Sequence, residues 1–87
     1  MTIKEKQELR MSLLKDLYDH NEATGGSEKQ VPRNVPMDDD DKEIVLAYEY
    51  LDGKGLISFK NFHKTAFKAK ITSYGIDYVE EMLSNEK

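Results

Sequence analysis

Helical spacing of apolar residues dominates three stretches of this chain, and a fourth alternates. Leu9, Leu13, Leu14, Leu17 and Tyr18 recur at intervals of three and four, with Arg10 in the same stripe and Ile3 one further turn out. That spacing predicts a first helix over residues 3–19 whose role is core packing. Ile44, Ala47, Tyr48 and Leu51 repeat the pattern. They predict a central helix that follows Pro36 and stops at Gly53, where a glycine suits the left-handed end of a helix. Gly55 then lets the chain reverse sharply. Leu56, Ile57 and Phe59 follow as a strand, and Phe67, Ala69 and Ile71 alternate with Lys68 and Lys70 as a second. Residues 61–66 are the expected connection, making a hairpin over about 56–71 with a lysine-rich solvent face. A last helix is expected from Thr72 to about Ser84, with Ile76, Val79 and Leu83 on one face, Met82 beside them, and Thr72 or Ser73 as cap.

Between His20 and Met37 the periodicity disappears. Asn21, Gly25, Gly26, Ser27, Pro32, Asn34 and Pro36 are turn and breaker residues. A flexible segment over about 20–37 is the expectation, part of it a short strand or a single helical turn, since long structureless loops are uncommon in compact domains. Gly25-Gly26-Ser27 is not a phosphate loop, because no Gly-Lys-Ser/Thr follows and no strand precedes it.

Size and charge narrow the picture. The 87 residues are expected to form a single domain, residues 1–87. The absence of cysteine removes disulfides and thiolate metal sites. With neither a signal-peptide pattern nor a long apolar run, the expectation is a cytoplasmic protein with no membrane partner. The net charge of −4 is unevenly placed. Residues 38–53 carry −6 and residues 54–76 carry +5, so two patches of opposite sign, or two blocks that neutralise each other, are both open. Asp38 to Asp41 suit the positive end of the central helix, and Asp40 with Glu43 has capping-box spacing. They lack the alternation and glycine of a calcium loop, so no metal is expected. No cofactor or small-molecule ligand is expected either.

Two passages carry a family resemblance. Ala47-Tyr48-Glu49-Tyr50-Leu51-Asp52-Gly53-Lys54-Gly55-Leu56-Ile57 resembles the step from recognition helix into the first wing strand of winged-helix domains. Ile71-Thr72-Ser73-Tyr74-Gly75-Ile76-Asp77-Tyr78-Val79-Glu80 resembles the step from the second wing strand into the closing helix. The pair is similar to small winged-helix proteins of Gram-positive bacteria and their phages, over roughly residues 3–84. The resemblance implies an α+β winged-helix-like fold, with three main helices and a two- or three-stranded antiparallel β-wing. It also implies a binding module, for DNA or for protein. One position departs from that pattern: the short helix expected before the recognition helix falls on residues 26–36, which hold two prolines.

Three functional readings follow. The first is a non-enzymatic DNA-binding or transcription-regulatory accessory protein that touches the phosphates of double-stranded DNA without sequence preference. Lys54, Lys60, His63, Lys64, Lys68 and Lys70 would do so, and contact by all five lysines implies a log K against log salt slope of about −4.5. The exposed face of the central helix is acidic and apolar and lacks Arg, Asn and Gln, which disfavours base reading by this helix. The second is a protein-interaction or homodimerisation module using Val45, Leu46, Glu49 and Tyr50 without DNA binding. The third, an enzyme, is disfavoured: neither His20 nor His63 has a spaced partner and no nucleophile motif occurs, so no catalytic residue is assigned.

Overall fold

A computed structural model describes residues 1–32, 36–64 and 66–85, and of His63 and Asn85 it gives the backbone path alone. The fold is α+β. Helix α1 spans Ile3–Thr24, strand β1 Lys29–Pro32, helix α2 Asp39–Gly53, strands β2 Ile57–His63 and β3 Ala66–Ile71, and helix α3 Ser73–Asn85. The strands form an antiparallel sheet in the order β1-β3-β2. This order of elements is compatible with a winged-helix-like topology.

The core lies where the three helices meet one face of the sheet. Leu14 and Leu17 of α1, Tyr48 and Leu51 of α2, and Val79 of α3 close over Ile57, Phe67, Ala69 and Ile71. Every one of these follows from the helical or alternating spacing of the chain. Phe59 stacks between Tyr48, with centroids 5.1 Å apart, and Phe67, at 4.8 Å, joining α2 to both wing strands through aromatic faces. The Tyr18 hydroxyl donates to Glu80 Oε2 at 2.9 Å and ties α1 to α3.

Four boundaries differ from the expectation. Helix α1 runs five residues beyond Asp19, through Asn21, expected as a turn residue: asparagine lowers helix propensity only slightly, and the helix ends at Gly25 instead. Thr24 Oγ1 donates back to the His20 carbonyl and accepts from Ser27 N–H as the helix ends. Much of the expected flexible segment is therefore ordered: residues 20–24 are helical and residues 29–32 form β1, which pairs Val31 with Phe67. Pro32 is tolerated because β1 is an edge strand. Arg33, Asn34 and Val35 lie outside the described residues. The capping box of α2 uses Asp38 and Asp41 rather than Asp40 and Glu43: Asp38 Oδ1 accepts from Asp41 N–H at 2.8 Å. Strand β2 also continues to His63, so the wing turn is shorter than residues 61–66.

The α2–β2 turn differs in its glycine as well. Gly53 is the last helical residue, and the left-handed position falls at Gly55, with φ of 77°. Leu56 N–H donates to the Leu51 carbonyl and Gly55 N–H to that of Asp52. These two bonds are the Schellman arrangement, and it puts Leu56 back on the core beside Leu51.

The turn is clamped by the start of α3. Thr72 N–H donates to the Leu56 carbonyl at 3.0 Å. Thr72 Oγ1 donates to the Gly55 carbonyl at 2.6 Å and accepts from Gly75 N–H at 3.2 Å. Gly75 packs directly on the Leu56 backbone, where a Cβ would collide with the carbonyl oxygen. The two passages that resemble winged-helix domains thus meet in space and lock each other.

Candidate nucleic-acid interface on the outer sheet face

Strand alternation and register determine which side chains share the face turned away from the helices. Ile57 and Phe59 point to the core, so Ser58, Lys60 and Phe62 of β2 point outward. On β3, Phe67, Ala69 and Ile71 point inward, while Lys68 and Lys70 point outward. The register puts Lys60 directly opposite Lys68 and Ser58 opposite Lys70, with Gln30 of β1 on the far side of Lys68. Lys60, Phe62, Lys70 and Gln30 are exposed. The outer face is therefore a basic surface with one aromatic ring in it.

Lys60 and Lys68 form a like-charge cross-strand pair, an arrangement that disfavours the free sheet. The Lys68 ammonium lies 3.9 Å from the Phe62 ring centroid, a cation–π contact that offsets part of that repulsion. Lys70 reaches the loop after α1, close to Gly26. Lys64 is exposed in the wing turn. None of Lys60, Lys64, Lys68 and Lys70 is bonded to a carboxylate among the described residues.

The other sequence-predicted residues lie elsewhere. Lys54 follows α2 and faces α1 and α3: it lines a cleft with Arg10 and Tyr78, and its ammonium is 5.7 Å from the Tyr50 ring. It does not join the sheet-face cluster. The His63 backbone ends β2, and its side chain lies outside the described parts. Val45 is half-buried against the core and lines a recess with Val31 and Phe67, so it leaves the strip proposed for a protein partner. Leu46, Glu49 and Tyr50 do share a surface: an open groove of about 520 Å³ between α1 and α2, with Lys6, Leu9 and Arg10 on its opposite wall. Leu46 is 57% exposed. Arg10, which shares the apolar stripe in sequence, sits 3.9 Å over the Tyr50 ring instead of entering the core.

Asp52 also has a structural task, since its Oδ1 accepts from Phe59 N–H at 3.3 Å. That bond occupies a donor on the outer edge of β2 and blunts strand addition there. His20 is half-buried in α1 and its Nε2 has no hydrogen-bond partner among the described residues. Among those residues no group of three or more His, Cys, Asp or Glu is placed to hold a metal ion, Asp38 to Asp41 included. Among the described residues no helix is long and apolar enough to cross a membrane.

Phe62 is the residue that sequence reasoning missed. Its signal was present: the alternation that points Phe59 inward and Lys60 outward continues for two more residues. Treating residues 61–66 as a connection hid it. No family model, curated protein or solved structure matches the chain.

Proposed function

We propose that this chain is a non-enzymatic nucleic-acid-binding module of winged-helix type, an accessory to DNA transactions in the cytoplasm, that grips phosphates with the outer face of its sheet. The observation that carries the reading is the Lys60–Lys68 cross-strand pair with Lys70 on the same face, to which Lys64, exposed in the wing turn, adds a fourth positive charge. Two lysines directly opposite each other on paired strands, without a carboxylate partner among the described residues, cost the free protein stability, and bound phosphates would relieve that cost. The net charge of −4 sits largely apart from this face, since the acid-rich block belongs to α2. The acidic and apolar surface of α2 supplies no base-reading side chain, so binding depends on backbone charge.

Salt dependence tests this directly. With four lysines on phosphates, and Lys54 turned away, log K for duplex DNA falls against log salt with a slope of about −3.6 rather than −4.5. That slope is a loss of about 100-fold over a fourfold rise in salt. Replacing both Lys60 and Lys68 with Gln reduces the slope to about half. Fluorescence anisotropy of a labelled random duplex measures it, and a slope unchanged by the double substitution would contradict the assignment.

A second reading rests on the α1–α2 groove, where Leu46 and Tyr50 expose apolar surface between the basic wall of Lys6 and Arg10 and the acidic wall of Glu43 and Glu49. Such a mixed surface suits a protein partner or a second copy of the chain.

A further inference from the structure

The lysines of the outer sheet face are the proposed phosphate contacts, and Phe62 adds an apolar ring among them, with the Lys68 ammonium 3.9 Å from its centroid. The ring is 48% exposed, and it stands on the same face as Lys60, Lys68 and Lys70. The strand is irregular at this residue. Asn61 pairs with Phe67 and His63 with Ala66, so β2 advances two residues while β3 advances one. Phe62 is the extra residue of that bulge. Bulges re-aim a side chain and recur beside functional sites. Here the aromatic ring beside the bulge points outward, as the alternation of β2 also requires, and stands apart from the core. A duplex offers this ring little, because its bases are stacked inside and its accessible surface is charged phosphate and sugar. An unpaired strand offers base faces that stack on an aromatic side chain while lysines hold the flanking phosphates.

We infer that the outer sheet face binds an unpaired nucleic-acid strand, with a base stacked on the face of Phe62 that Lys68 does not cover and the adjoining phosphates held by Lys60, Lys68 and Lys70. This rests on the proposed phosphate-binding role of the same face and assigns it a substrate class. Stacking on one ring is independent of base identity, so the site has little sequence preference. The salt slope for a single strand is shallower than for duplex at equal contacts, about −2.1 for these three lysines.

The experiment compares oligo-dT, oligo-rU and a random duplex of equal length, by anisotropy at one salt concentration, on the full chain and two variants. The wild type binds at least one of the single strands about 10-fold or more tighter than the duplex. Phe62→Ala weakens the single-strand complex about 5- to 150-fold and the duplex complex by a much smaller factor. Because the chain has no tryptophan, Phe62→Trp adds a unique fluorophore. Its emission is quenched by the single strand and not by heparin, an anion without bases. A melting curve for each variant confirms that the fold is intact. Duplex bound as tightly as either single strand, or equal losses for both after Phe62→Ala, would overturn the stacking site while leaving phosphate binding in place. No binding to any of the three would overturn both.

Discussion

Gly75→Ala lowers the unfolding free energy by roughly 2 kcal/mol or more, although helix propensity alone predicts a gain of about 1 kcal/mol. The sign is reversed by contact. Gly75 lies in the first turn of α3, and a Cβ there meets the Leu56 carbonyl oxygen, Ile71 Cγ1 at 2.6 Å and the Leu56 carbonyl carbon at 3.0 Å. Two of the three are backbone atoms, and neither can swing aside. The Leu56 carbonyl accepts from Thr72 N–H and the neighbouring Gly55 carbonyl from Thr72 Oγ1, so moving the turn strains both bonds. The melting temperature should fall by roughly 10 °C, at about 4–8 °C per kcal/mol for a domain of this size. Gly53→Ala is the internal control. A methyl group added at Gly53 meets no atom within 4 Å, and the backbone there is not left-handed, so alanine raises stability by about 0.5–1 kcal/mol. Equal responses at the two glycines in a thermal melt would refute the close-approach account.

Leu14→Ala costs roughly 2–5 kcal/mol, a large part of the ~5–15 kcal/mol that holds a small domain together. Leu14 is 0% exposed and sits on the face of α1 turned to the core cluster. Removal of its side chain loses transfer energy and leaves a cavity that α2 and the sheet cannot collapse to fill, since the stacked rings of Tyr48, Phe59 and Phe67 hold their spacing. Urea unfolding reads the loss as a lower midpoint at unchanged slope. Leu46→Ala, at an exposed position, should shift the midpoint little. A loss below about 1 kcal/mol at Leu14 would mean that α1 is not the lid of the core.

The core was legible in the sequence because burial imposes a period. Ala47, Tyr48 and Leu51, or Phe67, Ala69 and Ile71, each fall on one face at the spacing their element dictates, and each is buried. The ends of elements were less legible, because they depend on local hydrogen bonds that periodicity does not report. The last turn of α1 adds polar residues to a helix that ends only at the glycine pair, and the left-handed position at Gly55 rather than Gly53 is decided by which carbonyls Leu56 and Gly55 can reach. At the candidate site, Lys60, Lys68 and Lys70 were recoverable from alternation. That Lys60 and Lys68 stand opposite each other required the register, and that Lys54 leaves the group required the direction in which α2 ends. Arg10 occupies an apolar position in the α1 stripe, yet its guanidinium stacks on Tyr50, a contact between helices that no single-helix pattern contains. Phe62 continues the alternation of β2, and reading residues 61–66 as a connection hid it.

The most direct test of phosphate binding by the outer sheet face is an amide NMR titration of the labelled protein with random duplex DNA at low salt, repeated at higher salt. The expected result is shifts concentrated in residues 58–62 and 66–70 that vanish as salt rises, with residues 43–50 of α2 unaffected. Shifts centred on Leu46 and Tyr50, or none at submillimolar DNA, would contradict the account and turn attention to the groove between α1 and α2.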